Sequence, residues 1–309
     1  MKTQPPFSTP RSVMVTGAGG NLGGKAVEAL AAAPWCERII ATLFGDEAPH
    51  FSPAAQAKLT LVRADLSRFD PAWDKAMAGV EAVLHCAAAN PVPEATWDEA
   101  AASFDMIQAL GLAALRHGVK RMVFLSSNHV MGGYKDAPLA DRIGPGLLTT
   151  TLPSAPGTHW HNGQEEADST GYAASKLMGE RCMALLAEES GGQLTTVTIR
   201  IGWVLRGENK ASGVNLSGTP GGAAETDESA LDEASATALR WFRAMWLSNR
   251  DFTQLITKSL TADPAAWPGP AILVNGNSRN RNMGWSLEEA QRWLGYDPQD
   301  DLYAELEMT

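Results

Sequence analysis

The stretch SVMVTGAGGNLGG, residues 12–24, places a short apolar run directly before a glycine-rich turn. A helical pattern of apolar residues follows the turn. A strand, a tight glycine turn and a helix in this order let backbone amides approach a pyrophosphate at the helix N-terminus. The stretch therefore predicts a dinucleotide site, with a purely structural turn as the alternative. The predicted cofactor contacts in it are Gly17, Gly20, Asn21, Leu22 and Gly23.

Short apolar runs continue along the chain and alternate with helical patterns. The strands are predicted at 12–16, 38–44, 59–66, 82–89, 121–127, 195–205 and 271–276, and the two longest helices at about 97–117 and 171–189. Strands that are apolar throughout and alternate with helices are typical of a parallel sheet covered on both faces. The predicted fold class is α/β, a Rossmann-type doubly wound parallel sheet with a smaller C-terminal substrate-capping region.

The domain boundaries follow from the same pattern. We predict a flexible leader over 1–10, a dinucleotide-binding Rossmann domain over 11–202 and a mainly substrate-capping region over 203–309. Strand 271–276 is expected to return from the capping region to the sheet. Two long segments, 136–168 inside the first domain and 206–236 after it, interrupt the rhythm. Loops of this length are usually functional lids or disordered, and both readings stay open.

Composition limits the partners. A formal net charge of −10 disfavours nucleic acid and anionic membranes. No apolar run reaches the roughly 20 residues of a membrane span, and the start, MKTQPPFSTP, lacks the apolar core of a signal peptide. The three cysteines have no metal-binding spacing, so we expect reduced thiols, a cytoplasmic protein and no metal site.

Cofactor choice depends on the end of the second strand. The acid that binds the ribose of NAD is expected about 20 residues beyond the glycine turn, near Leu43. Neither an acid nor an arginine stands there, and Asp46 is the nearest carboxylate. We therefore predict NAD through Asp46, with NADP left open. Asp65 and Leu66, after the third strand, are placed to contact the adenine, although a solvated surface aspartate is the alternative.

The segment Tyr172-Ala-Ala-Ser-Lys176 places a phenol and an ammonium one helical turn apart. A phenol has a pKa of about 10, so a base role near pH 7 requires roughly 4 kcal/mol of preferential phenolate stabilisation. A nearby lysine and an oxidised nicotinamide supply positive charge for this. Tyr134 lacks a lysine at the same spacing. Ser127, at the end of the fifth strand, is the predicted hydroxyl that orients the substrate.

These motifs, in this order, resemble the extended short-chain dehydrogenase/reductase superfamily over about residues 12–298. The resemblance implies a catalytic set of Ser127, Tyr172 and Lys176, with Tyr172 and Lys176 also contacting the cofactor. The segment HCAAA, 85–89, stands where that family lines the cofactor, which implies contacts from Cys86, Ala87 and Ala88. It also implies a homodimer packed through the two long helices.

A narrower resemblance is to bacterial uronate dehydrogenases, through SSNHVMGGY, IRIG and WLSNRDF. Those enzymes oxidise the anomeric hydroxyl of a hexuronate with NAD. The resemblance implies a sugar or sugar-acid substrate, with an arginine that holds a carboxylate. The implied substrate contacts are Asn90, Ser127, Asn128, His129, Trp203, Arg240 and Arg243. The bland alternatives are a hydrogen-bonded strand-end histidine for His129 and ordinary surface arginines for Arg240 and Arg243.

The sequence also departs from that pattern. Ser127 and Tyr172 are 45 residues apart, which is longer than the family usually gives, and Trp203 stands where a small residue is expected.

The predicted function is an NAD(P)-dependent oxidoreductase acting on a sugar or sugar-acid hydroxyl. A nucleotide-sugar epimerase or dehydratase and a non-catalytic dinucleotide-sensing protein are the alternatives.

Overall fold

The computed structural model describes residues 7–46, 49–90, 95–217 and 228–308. Its strands are β1 Ser12–Thr16, β2 Arg38–Leu43, β3 Leu59–Arg63, β4 Ala82–His85, β5 Arg121–Leu125, β6 His159–His161, β7 Glu166–Asp168, β8 Thr195–Ile201 and β9 Ala271–Gly276. Its helices are α1 Asn21–Ala32, α2 Pro53–Gln56, α3 Pro71–Ala76, α4 Trp97–His117, α5 Thr170–Glu189, α6 Glu233–Met245, α7 Asn249–Thr261, α8 Glu288–Leu294 and α9 Leu302–Met308.

Seven strands of the described chain form one parallel sheet in the order β3-β2-β1-β4-β5-β8-β9. Side chains alternate between its faces, so Val13 and Val15 pack toward α1, α7 and α8 while Met14 packs toward α3, α4 and α5. Helices therefore cover both faces, and the predicted Rossmann-type fold class is confirmed.

Strand order reverses at β1, which lies between β2 and β4. In open α/β sheets a ligand crevice forms beyond the carboxyl ends of the strands at such a reversal. The glycine turn after β1 and the segment after β4 both lie at this edge.

Helix α4 shows how local sequence sets an element's limits. Thr96 accepts a hydrogen bond from the Glu99 amide, and the Glu99 carboxylate accepts one from the Thr96 amide, which forms a capping box. Gly118 ends the helix at φ 70°, a left-handed conformation that glycine adopts without steric penalty. The predicted span 97–117 matches the observed helix.

Strand β8 ends earlier than predicted, at Ile201 rather than residue 205. The Gly202 amide still donates to the Gly276 carbonyl, but the Trp203 amide donates to the Met245 carbonyl at the end of α6. A Cβ at position 202 would lie 2.3 Å from that Met245 oxygen, so glycine permits the departure from the sheet. The chain thus leaves the sheet after β8 and continues toward α6.

Helix α6 and the inserted segment 136–168 share one apolar cluster. Trp160 of β6 packs edge-on against Phe242 of α6, with ring centroids 5.2 Å apart. Tyr134 is buried in the same cluster and donates its hydroxyl hydrogen to the Pro153 carbonyl. The inserted segment therefore packs onto α6.

The predicted leader falls mostly on residues 1–6, outside the described residues. Phe7 is described, and its ring centroid lies 4.8 Å from the guanidinium carbon of Arg121. Across the described ranges, no helix combines the length and apolarity that a bilayer crossing requires.

Candidate active site

The glycine turn brings backbone atoms close together at the start of α1. Gly17 has φ +65°, and a Cβ there would lie 2.9 Å from the Cα of Ala87. A Cβ on Gly23 would lie 2.2 Å from the Gly17 carbonyl oxygen. Gly20, the N-cap residue of α1, makes no side-chain hydrogen bond to the amides of the first turn. Such an N-terminus suits a pyrophosphate, and these residues fit a dinucleotide.

The segment after β4 is held against this turn. The Thr16 hydroxyl accepts hydrogen bonds from the amides of Cys86, at 3.1 Å, and Ala87, at 3.2 Å. The Ala89 amide donates to the Ser103 hydroxyl on α4. Burial raises the pKa of the Cys86 thiol to about 12, which keeps it neutral. The predicted cofactor-lining residues Cys86, Ala87 and Ala88 thus follow β4 directly beside the turn.

The residues predicted to meet the adenosine end follow β2 and β3. Asp46 is exposed, three residues beyond the end of β2. One carboxylate oxygen of Asp65 accepts hydrogen bonds from the Ser67 amide and hydroxyl, which fixes that loop. Leu66 is buried against the sheet.

Helix α5 carries Tyr172 and Lys176 one turn apart, at the carboxyl end of β5. The Lys176 Nζ lies 5.6 Å from the centroid of the Tyr172 ring. It donates to the Leu125 carbonyl, the last residue of β5, at 2.8 Å. Because this bond ties the lysine to the strand end, the ammonium stays near the phenol.

The protonation of this pair follows from its burial. Burial raises the pKa of Tyr172 to about 12, and a side-chain interaction with Ser127 opposes that rise. Burial also lowers the pKa of Lys176 to about 8, so the ammonium is still mostly charged at pH 7. Ionising such a phenol at pH 7 takes about 7 kcal/mol. The base role therefore needs more positive charge than Lys176 alone supplies.

His129 lies beside the tyrosine, with ring centroids 6.1 Å apart. Its Nδ1 is 2.8 Å from the Thr158 hydroxyl and 3.1 Å from the Ser169 hydroxyl. Ser169 immediately precedes α5. The ring is thus held by the inserted segment and by the start of the helix that carries Tyr172.

Ser127 and Asn128 come directly before His129, just after the end of β5. The Ser127 hydroxyl accepts from the His129 amide at 3.2 Å. Asn128 is fully buried, and neither polar atom of its side-chain amide has a hydrogen-bond partner among the described residues. Asn90 lies farther along the edge, where its side chain donates to Glu99 on α4.

Each of the predicted substrate contacts after β8 has a partner of its own in the structure. Trp203 packs against Phe242, with ring centroids 5.5 Å apart. Arg240 is exposed and donates to Thr237 on its own helix. Arg243 pairs with Glu228 through both carboxylate oxygens. In the described ranges, no hydrogen bond joins either arginine to Ser127 or Tyr172.

A buried network beneath the site was not predicted. Glu180 of α5 accepts from the Ser126 hydroxyl at 2.7 Å and from the Arg200 guanidinium at 3.0 and 2.9 Å. Both charged side chains are at most 6% exposed. Arg200 was detectable as a charge inside an apolar strand, since buried charges need partners. Glu180 could have been recognised from its position, one helical turn after Lys176.

We expect the stability of the protein to fall in acid because two histidines are buried. Burial lowers the pKa of His85 to about 3 and that of His129 to about 4. The unfolded chain therefore binds more protons as pH falls below about 6.5, and stability drops with it. We expect the free energy of unfolding to fall by about 3 to 4 kcal/mol between pH 7 and pH 5.

Urea unfolding at both pH values measures this loss. The variant His129→Gln should remove about half of the pH dependence, and the exposed His50→Gln is the control. An unchanged unfolding free energy from pH 7 to pH 5 would show that the two histidines are not held neutral.

No cluster of three or more His, Cys, Asp or Glu side chains suited to a metal ion occurs within the described ranges. The site is built from a glycine turn, a parallel-sheet crevice and a serine, tyrosine and lysine at its edge. Together these features define the short-chain dehydrogenase/reductase class.

Comparison with known proteins identifies the family. The model of the NAD dependent epimerase/dehydratase family matches residues 13–205, and the chain belongs to this family. This confirms the predicted extended short-chain superfamily, and the family description itself names the predicted cofactor, NAD.

Individual relatives share most of the chain. It is 30% identical to an L-arabinose 1-dehydrogenase (NAD(P)(+)) of Haloferax volcanii, covering 94% of this chain and 96% of that protein. It is 27% identical to a uronate dehydrogenase of Pseudomonas syringae pv. tomato, covering 96% of this chain and 84% of that protein. A solved structure titled a mutated uronate dehydrogenase has the same fold, with a TM-score of 0.66, 22% identity and coverage of 97% of this chain and 85% of that one.

Proposed function

We propose that this protein is an NAD(P)-dependent dehydrogenase that oxidises a hydroxyl group of a sugar or sugar acid. The observation that carries the proposal is the group of three side chains at the carboxyl end of β5: Lys176 lies 5.6 Å from the Tyr172 ring, and the Tyr172 phenol interacts with the Ser127 side chain. Relatives over most of the chain are named as dehydrogenases of L-arabinose and of uronates, which supports this substrate class.

The three members of the set have different roles in this proposal. Ser127 donates a hydrogen bond that orients the substrate hydroxyl, and Tyr172 removes the proton from that hydroxyl. Lys176 stabilises the phenolate and holds the nicotinamide ribose. A dinucleotide held at the glycine turn and by Lys176 would supply the hydride acceptor for the carbinol carbon and positive charge near the phenol. Proton and hydride leave the same substrate, whose alcohol becomes a carbonyl.

In this proposal, the other predicted substrate contacts bind the rest of the sugar. Asn128, with an unpartnered buried amide, and His129, beside the tyrosine ring, contact the sugar hydroxyls. Asn90 and Trp203 border the sugar ring. For an acidic substrate, Arg240 or Arg243 binds the carboxylate, and Arg243 must then exchange its Glu228 partner for it.

Matched sugars test the proposal. D-Galactose and D-galacturonate, D-glucose and D-glucuronate, and L-arabinose should be assayed with NAD and NADP separately, following reduced cofactor. We expect oxidation of at least one sugar with a kcat/KM above roughly 10⁴ M⁻¹s⁻¹. The Arg243→Gln variant should lower activity on the uronate of a pair more than on its neutral partner. Absence of turnover on every sugar would contradict the proposal.

We further propose a cytoplasmic homodimer that packs through α4 and α5. Leu112 on α4 and Met178 and Leu185 on α5 are 46%, 48% and 57% exposed, respectively, on two helices that pack side by side. Exposed apolar residues grouped in this way favour association. Light scattering should give twice the monomer mass, and Leu185→Glu should reduce it to the monomer mass.

A further inference from the structure

The carboxyl end of β2 is where a Rossmann protein distinguishes NAD from NADP. An acid there binds the 2′-hydroxyl of NAD and repels the 2′-phosphate of NADP, whereas an arginine accepts the phosphate. In this chain β2 ends at Leu43, and Phe44 and Gly45 follow it. None of the three carries a charge, and Phe44 is 82% exposed.

Strand pairing brings an arginine to that place from another strand. Leu43 and Arg63 are opposite each other in the parallel pairing of β2 with β3. The Arg63 guanidinium reaches past the end of β2 and donates to the Gly45 carbonyl at 2.7 Å. This bond fixes one end of the guanidinium, and its other donors have no hydrogen-bond partner among the described residues.

Among the residues that the structure describes, no acidic neighbour neutralises the charge of Arg63. No carboxylate of the described chain lies within salt-bridge distance of it, whereas nearby Arg68 pairs with Asp65 at 3.7 Å. Asp46, the residue after Gly45, is exposed to solvent. An unpaired guanidinium with free donors binds a phosphate dianion well.

From these observations we propose that Arg63 binds the 2′-phosphate of NADP, so that the protein uses NADP as well as NAD. The inference deepens the proposed function, since it assigns the cofactor range of the same site. The sequence has no arginine beside Leu43, and Arg63 reaches that place from β3.

Binding of cofactor fragments tests this without any sugar. By calorimetry, the wild type should bind 2′,5′-ADP at least as tightly as 5′-AMP. The Arg63→Gln variant should bind 2′,5′-ADP and NADP about tenfold more weakly, with NAD and 5′-AMP changed less than about twofold. Arg38→Gln, which removes the same charge at the opposite end of β2, should change none of these constants. Retained NAD binding by Arg63→Gln would show that this variant is folded.

The outcomes separate the two claims. If the wild type binds 2′,5′-ADP far more weakly than 5′-AMP, or if Arg63→Gln binds NADP as the wild type does, Arg63 does not read the 2′-phosphate. Either result leaves the proposed sugar oxidation standing. Sugar oxidation would fail separately, if the fragments bind as expected and no sugar is turned over.

Discussion

Replacing Tyr172 with phenylalanine should lower kcat by about 10³-fold, because the variant has no group to accept the substrate proton. The side chain keeps its packing, and the loss of one hydrogen bond should weaken cofactor binding by no more than about fivefold. Turnover of an active sugar and calorimetric binding of NAD measure the two effects separately.

Tyr134→Phe is the matched control for this variant. Tyr134 is buried in the neighbouring cluster, and its hydroxyl donates only to the Pro153 carbonyl among the bonds of the described chain. Its removal should reduce stability by about 1 kcal/mol and leave kcat close to that of the wild type. If Tyr172→Phe kept activity within tenfold of the wild type, the general-base assignment would be wrong.

The second large effect is on stability. Glu180→Ala would leave the Arg200 guanidinium buried without its carboxylate, and the Ser126 hydroxyl without its acceptor. Breaking a buried pair in this way typically reduces the free energy of unfolding by about 3 to 5 kcal/mol. Because Glu180 joins α5 to β5 and β8, the change should also disturb the position of Tyr172 and lower kcat.

Two further variants separate the charge effect from simple loss of packing. The double variant Glu180→Leu with Arg200→Met removes both charges and should recover most of the stability. Arg116→Ala breaks the more exposed pair with Asp74, and its effect should stay below about 1 kcal/mol. Urea unfolding measures all three, and a loss below about 1 kcal/mol for Glu180→Ala would mean that the pair does not hold α5.

Features written in one short segment could be predicted from the sequence. The glycine turn follows β1 directly, and Tyr172 and Lys176 lie one helical turn apart on α5. Gly118 marks the end of α4. Each depends on residues a few positions apart, so their local pattern specifies them without knowledge of the tertiary fold.

Contacts between distant segments could not be predicted in this way. Arg63 reaches Gly45 only through the register of β2 with β3, and Arg200 meets Glu180 only once α5 packs on β8. The His129 ring is held by Thr158, which lies in the inserted segment, and no local motif predicts this contact. Such pairings depend on strand order and helix packing, which the sequence specifies only collectively.

The central claim is net oxidation of a sugar through Tyr172. The most direct test incubates the enzyme with an active sugar and excess NAD or NADP, and then compares reduced cofactor formed with sugar consumed. We predict one equivalent of NADH or NADPH for each sugar oxidised, together with one equivalent of the carbonyl or lactone product. Conversion of the sugar to an isomer or a dehydrated product, with no reduced cofactor accumulating, would contradict this account and indicate an epimerase or dehydratase.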